Sequence, residues 1–197
     1  MKELETFKRY MSEEVAAIEK TLNSFGEEIV QAINAIQNSR GKVVITGVGK
    51  SGHIGKKIAA TLASTGTPSF FMHSTEGVHG DLGMVGREDV VILISNSGET
   101  LEVLNLLPSL KQIGCKMISL TGNHKSSLAL NCDISLAYDC EREIGELGFA
   151  PSASSTITLV VGDALALTLS KLRNFSKQDF NLYHPGGSLG KKSGGKE

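Results

Sequence analysis

Five short apolar runs recur through the middle of the chain, separated by stretches of mixed polarity. They lie at 42–46, 69–73, 90–95, 116–120 and 133–137. Because their residues are apolar throughout rather than alternately apolar and polar, they are typical of parallel strands covered on both faces. Between them, helices are predicted at about 53–64, 100–113 and 125–130. The alternation predicts a doubly wound α/β fold, with a five-stranded parallel sheet flanked by helices.

A helical pattern precedes these strands. Apolar residues recur every three or four positions from Leu4 to Ile36, which predicts an N-terminal helical extension. Gly26 is predicted to divide the extension into two helices. The apolar stripe is longer than one small sheet can cover, so it packs either on the core of its own chain or on another subunit.

The patterns divide the chain into three parts. Residues 1–39 form the helical extension, residues 40–190 form the α/β domain, and residues 191–197 form a tail that contains no hydrophobic residue. Within the domain, a loop at 138–154 leads into a long apolar helix predicted at about 155–173. The tail is predicted to be disordered because it has nothing to bury.

Charge and composition exclude several classes of function. The formal net charge is −1 and aromatic residues make up 5% of the chain, so neither a basic field nor stacking platforms favour nucleic acid. Cys115, Cys132 and Cys140 lack the spacing of a metal site. No metal ion, cofactor or nucleic-acid partner is therefore predicted.

The sequence also bears on the compartment. The first residues carry no apolar segment typical of a secretory signal. The longest apolar run, 157–172, is interrupted by Asp163 and is predicted to be too short to span a bilayer. The odd number of cysteines favours reduced thiols. We therefore expect a cytoplasmic protein that does not enter a membrane.

Small hydroxyl and amide side chains follow the third predicted strand. The segment Ser95-Asn96-Ser97-Gly98-Glu99-Thr100 stands between that strand and a helix. Hydroxyls and free backbone N–H groups at a helix N-terminus form an anion site, and the helix dipole strengthens it. A capped strand-to-helix turn would use the same residue types, so the segment alone predicts a phosphate site only weakly.

A second loop of this kind follows the first predicted strand. Gly47-Val48-Gly49-Lys50-Ser51-Gly52 leads into a helix and also fits the dinucleotide pattern Gly-x-Gly-x-x-Gly. It is not a Walker loop, because Val44 occupies the position of that motif's first glycine. Two strand ends that both carry small hydroxyl residues favour one compact phosphate over a dinucleotide.

An ordered set of segments resembles the sugar isomerase (SIS) domain, and within it the arabinose-5-phosphate isomerases. The segments run over about residues 40 to 191 and are Gly47–Gly55, Ala59–Pro68, His79–Met84, Ser95–Thr100, Ala150–Ser152 and His184–Gly190. Members of this family often continue into a pair of nucleotide-sensing CBS domains. The chain stops before such a module, so regulation through one is not expected.

The resemblance implies a fold, an assembly and a reaction. It implies a five-stranded parallel sheet flanked by helices, and homo-oligomers, commonly tetramers, with active sites between subunits. The implied reaction interconverts D-ribulose 5-phosphate and D-arabinose 5-phosphate through an enediol, the first step toward Kdo, a sugar acid of lipopolysaccharide and some capsules. The sugar phosphate would be the only small-molecule partner.

The resemblance also implies roles for three charged residues. Lys50 matches a catalytic-site residue that places a cation near substrate oxygens, and Glu102 and Glu143 match two catalytic glutamates. One of these glutamates is expected to carry the proton between C1 and C2, with Glu143 preferred. Without the resemblance, Lys50 also fits an exposed lysine at a helix start, and Glu102 fits a helix cap.

Two histidines are candidates for opening the sugar ring. His184 precedes Pro-Gly-Gly and could reach a neighbouring subunit's site, and His79 stands two residues before Asp81, which could orient it. His79 also fits a structural role in its loop. The expected phosphate-binding residues are Ser51, Ser95, Asn96, Ser97 and Thr100. The expected sugar-binding residues are Gly49, Asp81 and Ser152.

Two alternatives remain open at this point. One is an SIS isomerase that acts on another phosphosugar. The other is a non-catalytic sugar-phosphate sensor, which would need the phosphate loops but not Lys50, Glu102, Glu143 and His184.

Overall fold

The sheet has five parallel strands. In this computed structural model, which describes residues 1–186, the spatial order is β2-β1-β3-β4-β5. The strands are β1 (Val43–Gly47), β2 (Ser69–His73), β3 (Val90–Ile94), β4 (Lys116–Thr121) and β5 (Ile134–Ala137). The predicted doubly wound fold and the number of strands are confirmed. The predicted tail at 191–197 and the motif residues 187–190 lie outside the described residues.

Helices cover the sheet and precede it. They are α1 (Lys2–Leu22), α2 (Glu27–Gln37), α3 (Gly49–Ser64), α4 (Ser74–Val78), α5 (Leu101–Leu104), α6 (Leu107–Ile113), α7 (Ser127–Asn131), α8 (Ala153–Leu172) and α9 (Lys177–Tyr183). A short 3₁₀ helix spans Asp81–Met84. The predicted break near Gly26 is confirmed, because α1 ends at Leu22 and Gly26 caps the start of α2.

The core has two parts, one on each face of the sheet. On the first face, residues such as Ile45 and Ile118 pack against α2, α3 and α8. On the second face, Val44, Val91 and neighbouring residues pack against α5, α6 and α7. All five residues of β1 and all five of β3 are buried. The strands are therefore continuously apolar because both of their faces are removed from water.

Two predicted helices differ from the observed ones. The helix predicted at 100–113 is divided into α5 and α6, with Pro108 at the start of α6. The proline ring has no N–H and collides with the carbonyl group four residues earlier, so the first helix ends before it. The apolar helix begins at Ala153 and is 20 residues long, so the expectation that it is too short to span a bilayer was wrong.

Helix α8 is nevertheless packed within the protein. Among residues 1–186 it is the one helix with the length and hydropathy of a membrane span, and half of its apolar window is buried. Gly162 lets α3 approach closely, because a side chain there would collide with Ile58. A core helix of this kind satisfies the same criteria of length and hydropathy as a membrane span.

The apolar stripe of the N-terminal helices is divided between two environments. Ala17 and Ile18 of α1 and Ile29 and Ile33 of α2 pack against the core. On α1, several large apolar side chains are more than half exposed, namely Leu4, Phe7, Met11, Val15 and Leu22. The stripe therefore covers the core of its own chain only in part.

Candidate functional site

The two glycine- and serine-rich loops meet at one point of the sheet. Strands β1 and β3 are neighbours, but the chain leaves β1 for α3 on one face and leaves β3 for α5 on the other. Ligands of open α/β sheets bind at such a switch point, beyond the carboxyl ends of the strands. A cavity of about 280 Å³ lies there. Its lining residues are Val48, Lys50, Ser51, Asn96, Ser97, Thr100, Tyr138, Glu143, Pro151, Ser154, Ser155 and Thr158.

The first turn of α3 brings a positive charge to this cavity. Gly49, Lys50 and Ser51 open the helix, and Lys50 and Ser51 line the cavity. Among residues 1–186, Lys50 has no ion-pair or hydrogen-bond partner for its amino group. A cation at a helix N-terminus is unfavourable beside the positive end of the helix dipole. The position is therefore better explained by an anionic ligand than by the stability of the helix.

The buried side chain of Ser95 stabilises the second loop, Ser95–Thr100, through hydrogen bonds. This side chain is 3% exposed, its hydroxyl lies 2.8 Å from the hydroxyl of Thr100, and it accepts a hydrogen bond of 3.0 Å from the Gly98 N–H. Ser95 thus acts on the loop, whereas Asn96, Ser97 and Thr100 line the cavity. Of the five predicted phosphate-binding residues, four face the cavity and Ser95 lies beneath it.

Gly98 gives the loop its turn. Its φ of +67° is in the left-handed region, and a Cβ atom there would overlap the Ser126 side chain. Next to it, the Glu99 carboxylate accepts a hydrogen bond of 2.7 Å from the Ser127 N–H at the start of α7. This bond lowers the pKa of Glu99. Glu99 therefore points toward α7 and leaves the neighbouring hydroxyls to the cavity.

Glu143 also lines the cavity, and it caps α8. It is 8% exposed. Its Oε2 accepts hydrogen bonds of 2.9 and 3.1 Å from the backbone N–H groups of Ser152 and Ser154, and its Oε1 accepts one from the Ser154 hydroxyl. The Ser152 hydroxyl donates to Oε2 at 3.4 Å and accepts from the Ile144 N–H at 2.9 Å. The carboxylate thus occupies the N-terminal end of α8, where the helix dipole favours a negative charge.

Ion pairs connect the loop that carries Glu143 to α1. Lys20 lies 2.9 Å from Asp139 and 2.5 Å from Glu141. Arg9 lies 2.7 Å from Glu146, and this bond lowers the pKa of Glu146. All of these side chains are at least two-fifths exposed, so each pair contributes little to stability alone. Together they join the N-terminal extension to the loop beside the cavity.

Tyr138 is a cavity residue that the sequence did not identify. It directly follows β5 and is 4% exposed. Its hydroxyl donates a hydrogen bond of 3.0 Å to Asn96 Oδ1, and the Thr158 hydroxyl lies 3.4 Å away. Burial raises the pKa of the phenol well above its ordinary value. The available signal was its position at the carboxyl end of a strand, but an aromatic residue there also fits an ordinary core position.

Several predicted site residues do not reach this cavity within the described chain. Glu102 is exposed in the first turn of α5, and His79 is exposed at the end of α4. Asp81 begins the 3₁₀ helix. The His184 ring stacks on Phe180, with ring centroids 3.9 Å apart, and its Nδ1 lies 2.8 Å from the Phe180 carbonyl oxygen. None of these four predicted residues lines the cavity.

A metal centre is not indicated by the described part of the chain. Residues 1–186 contain no group of three or more His, Cys, Asp or Glu side chains that could hold a metal ion. The three cysteines are unpaired, and burial raises the pKa of Cys115 and of Cys140 to about 11. These thiols are therefore protonated near neutral pH and are poor nucleophiles.

The arrangement suits a small anion that carries a reactive centre a few atoms away. The cavity is lined by hydroxyls, a helix N-terminus and the Lys50 side chain, which together can bind a phosphoryl group. The same cavity is lined by Glu143, whose carboxylate can exchange a proton. The cavity therefore combines anion binding with a candidate acid or base.

Comparisons with known proteins identify the family of the chain. The SIS domain matches residues 35–168. The arabinose 5-phosphate isomerase KdsD of Pseudomonas aeruginosa is 49% identical over 176 residues, which cover 89% of this chain and 54% of that protein. The protein of the same name from Escherichia coli K12 is 56% identical over 153 residues, covering 78% and 47% respectively. The chain thus spans about half the length of the curated relatives it matches.

A solved structure extends the comparison to three dimensions. It is a protein of E. coli CFT073, c3406, in complex with arabinose 5-phosphate. It superposes with a TM-score of 0.90 at 56% identity and covers 92% of this chain and 97% of that one. Because the family match spans residues 35–168 and the described fold is the one that the resemblance implied, the chain belongs to the SIS domain family.

Proposed function

We propose that the chain is an aldose–ketose isomerase that interconverts D-arabinose 5-phosphate and D-ribulose 5-phosphate. The observation that carries this proposal is the convergence of Lys50, Ser51 and Ser97 with Glu143 on one cavity at the switch point of the sheet. The curated relatives are named for arabinose 5-phosphate, and the similar solved structure is a complex with the same sugar phosphate.

The reaction moves one proton between two neighbouring carbons. A base removes the proton from C2 of the open-chain aldose, the electron pair forms the double bond of an enediol, and a proton is returned to C1 to give the ketose. A second proton moves between the two oxygens. The overall change is an isomerisation, so no external oxidant or reductant enters. A positioned general base accelerates such a step by about 10²- to 10⁴-fold.

Glu143 is our preferred base. It lines the same cavity as Lys50 and Ser97, and the Ser154 N–H and hydroxyl fix the orientation of its carboxylate. We assign to Lys50, which lines the same cavity, the stabilisation of negative charge on the substrate oxygens. Glu102 remains the alternative base, and it would need to act from another arrangement or in another subunit's site, since it does not line this cavity.

Ring opening would be assigned to a histidine from a neighbouring subunit. Neither His79 nor His184 lines the cavity of its own chain. An assembly of several copies, with a tetramer favoured, would let one of them enter the site of another copy. The exposed apolar residues of α1, Leu4, Phe7, Met11 and Val15, are suitable for such an assembly.

The proposed biological setting follows from the substrate. Arabinose 5-phosphate formed here would supply Kdo for lipopolysaccharide or for a capsule. The precursor is a soluble, charged metabolite, so we propose that the chain acts in the cytoplasm.

A deuterium-exchange assay tests the proposal directly. The purified protein is incubated with arabinose 5-phosphate in heavy water, and the deuterium at C2 of recovered aldose and at C1 of the ketose is measured by NMR. We expect exchange and formation of ribulose 5-phosphate. Hexulose and heptose phosphates serve as competing substrates, and faster turnover of one of them would reassign the substrate.

A sugar-phosphate sensor is the second candidate. The observation in its favour is that the Glu143 carboxylate is fully hydrogen-bonded as a helix cap, which a purely structural residue would also show. Binding of arabinose 5-phosphate without any exchange of deuterium would favour the sensor and end the proposal of an isomerase.

A further inference from the structure

The ring of Tyr138 belongs to the core, but packing does not explain its hydroxyl group. Tyr138 directly follows β5 and is 4% exposed, yet it lines the same cavity as the phosphate loop. A phenylalanine would fill the same space without burying a hydroxyl. Burial of a hydroxyl costs free energy unless a hydrogen bond compensates it, so the partner of this hydroxyl is informative.

The partner is the side chain of Asn96 in the phosphate loop. The Tyr138 hydroxyl donates to Asn96 Oδ1 at 3.0 Å. The backbone carbonyl of Asn96 is also held, since it accepts from the Gly122 N–H at 2.9 Å and from the Thr121 hydroxyl at 3.2 Å. Within residues 1–186, the amide nitrogen of Asn96 has no protein partner. The protein therefore binds both the backbone oxygen and the side-chain oxygen of Asn96. The two N–H donors of its side-chain NH₂ group remain available.

This division matters because an asparagine side chain has two chemically different ends. Its amide can present either a carbonyl oxygen, which accepts, or an NH₂ group, which donates. An anionic ligand is attracted by the donor end and repelled by the acceptor end. The buried phenol, whose pKa lies well above its ordinary value because of burial, keeps its proton near neutral pH and donates it to the Asn96 oxygen.

We propose that Tyr138 is a positioning residue, which fixes the Asn96 carboxamide so that its NH₂ group faces the phosphoryl group of the substrate. The proposal rests on the proposed function for the identity of that substrate. Its geometric part depends only on an anion occupying the cavity.

Gly122 leaves the space that this arrangement of Asn96 and Tyr138 requires. A Cβ atom at this position would lie 2.6 Å from Asn96 Oδ1 and 3.3 Å from Tyr138 Cε2. The absence of a side chain at residue 122 therefore leaves room for the Asn96 oxygen to reach the phenol. Gly122→Ala should displace the Asn96 carboxamide without removing any polar group.

The test is Tyr138→Phe, which keeps the ring and removes the hydrogen bond. We expect KM for arabinose 5-phosphate to rise about tenfold, the effect of one hydrogen bond to a charged group, with kcat changed by less than about twofold. For the same variant, the concentration of inorganic phosphate that produces half of the maximal rise in Tm should increase by a similar factor. A Tyr138→Phe protein with unchanged KM and phosphate response would overturn the proposal, as would a fall in kcat alone.

A double-mutant cycle separates positioning from general damage. In an Asn96→Ala background, Tyr138→Phe should have no further effect on KM, because the group through which it acts is gone. Additive effects of the two substitutions would overturn the proposal. If Tyr138→Phe fails to fold, Gly122→Ala takes its place, with the same expected rise in KM and the same cycle.

Ser119→Ala is the matched control. It removes another buried hydroxyl, which lies 2.9 Å from the Ser135 hydroxyl and does not line the cavity. We expect a lower Tm with an unchanged KM. Failure of the proposed function gives a different result. A wild-type protein whose Tm responds to phosphate but which does not isomerise the sugar would contradict the isomerase. The role of Tyr138 would then be decided by the thermal-shift comparison alone.

Discussion

The hydroxyl groups of Ser95 and Thr100 lie 2.8 Å apart and join the two ends of the phosphate loop. Ser95 is buried beneath the loop, whereas Ser97 is exposed on the wall of the cavity. Two serines that are separated by one residue therefore have different roles. The first maintains the shape of the loop. The second accepts a hydrogen bond of 3.2 Å from the Glu99 N–H and can still donate its own proton to a ligand.

Ser97→Ala should weaken substrate binding more than it slows the reaction. The Ser97 hydroxyl is expected to bind the phosphoryl group equally in the ground state and in the transition state, so its loss should raise KM about tenfold with kcat nearly unchanged. Steady-state kinetics with arabinose 5-phosphate measures both. Ser95→Ala is the control, and we expect it to lower Tm because the Gly98 N–H and Thr100 lose a partner. A Ser97→Ala enzyme with normal KM would contradict this assignment.

Substitution of each glutamate by glutamine should distinguish the base from its alternative. Glu143→Gln is expected to lower kcat by about 10²- to 10⁴-fold with substrate binding retained. It should also lower Tm, because glutamine provides a weaker cap for α8. Glu102→Gln should leave Tm unchanged, since Glu102 is exposed.

Measuring both kcat and Tm distinguishes a catalytic role from a purely structural one. If Glu143→Gln lowers Tm but keeps full kcat, Glu143 is only a helix cap. If in the same experiments Glu102→Gln abolishes turnover, the base is Glu102.

The sheet and the phosphate loops could be predicted from the sequence because local pattern determines them. Strands that are buried on both faces must be apolar throughout, as β1 and β3 are. Parallel strands all end at the same edge of the sheet, so the residues after β1 and β3 were expected to meet. Ser51, Ser97 and Lys50 do meet at the cavity.

The rest depended on contacts that are distant in the sequence. Tyr138 and Asn96 are 42 residues apart, and no periodic pattern connects them. The cap that Glu143 provides for α8 also depends on how the loop folds back over eleven residues to Ser154. By contrast, the division of the helix predicted at 100–113 was signalled by Pro108. The role of Glu102 came from the resemblance, and those of His79 and His184 were inferred from the residues beside them. None of the three lines the cavity of the described chain.

Removal of the Lys20 charge should loosen the loop that holds Glu143. Lys20→Met breaks the contacts to Asp139 and Glu141. These pairs are exposed and screened by salt, so Tm should change little. Amide hydrogen exchange across 139–146 should become faster at low ionic strength, and kcat/KM should fall about two- to fivefold.

Lys116→Met is the control for this effect. It breaks a comparable exposed pair with Asp133, 3.2 Å long, at the opposite end of the sheet. We expect no change in exchange at 139–146 or in kcat/KM. The difference between the two variants should vanish at about 1 M salt, where the Debye length is about 3 Å. A defect in Lys20→Met that persists at high salt would show that packing, not charge, connects α1 to the loop.

Asp89 should make the stability of the protein sensitive to acid. Burial raises the pKa of this carboxyl group, but hydrogen bonds from the Gly86 and Lys42 N–H groups, each 2.7 Å long, and from the Lys42 ammonium outweigh it, so the pKa lies below its ordinary value. A group whose pKa is lowered in the folded state stabilises the fold at pH values above its pKa in the unfolded chain. This contribution is lost as the pH falls through the pKa of the folded state.

Asp89→Asn should therefore reduce the free energy of unfolding most at neutral pH. We expect a loss of about 1.5–3 kcal/mol near pH 7, the range for hydrogen bonds to a charged group, and a smaller difference from wild type below about pH 4. Urea denaturation at a series of pH values measures this. A difference that stays constant from pH 7 to pH 3 would mean that the charge of Asp89 does not contribute.

The Glu143 cap on α8 makes the cavity electrostatically asymmetric. Because Glu143 already neutralises the positive end of that helix, we expect a doubly charged ligand group to bind near α3 and the Ser95–Thr100 loop rather than beside α8. The uncharged end of a monophosphate can then lie beside the carboxylate, while a bisphosphate of similar length would bring its second anionic group against it. Discrimination against such metabolites would follow from this single electrostatic asymmetry, without any bulky residue that blocks the entrance.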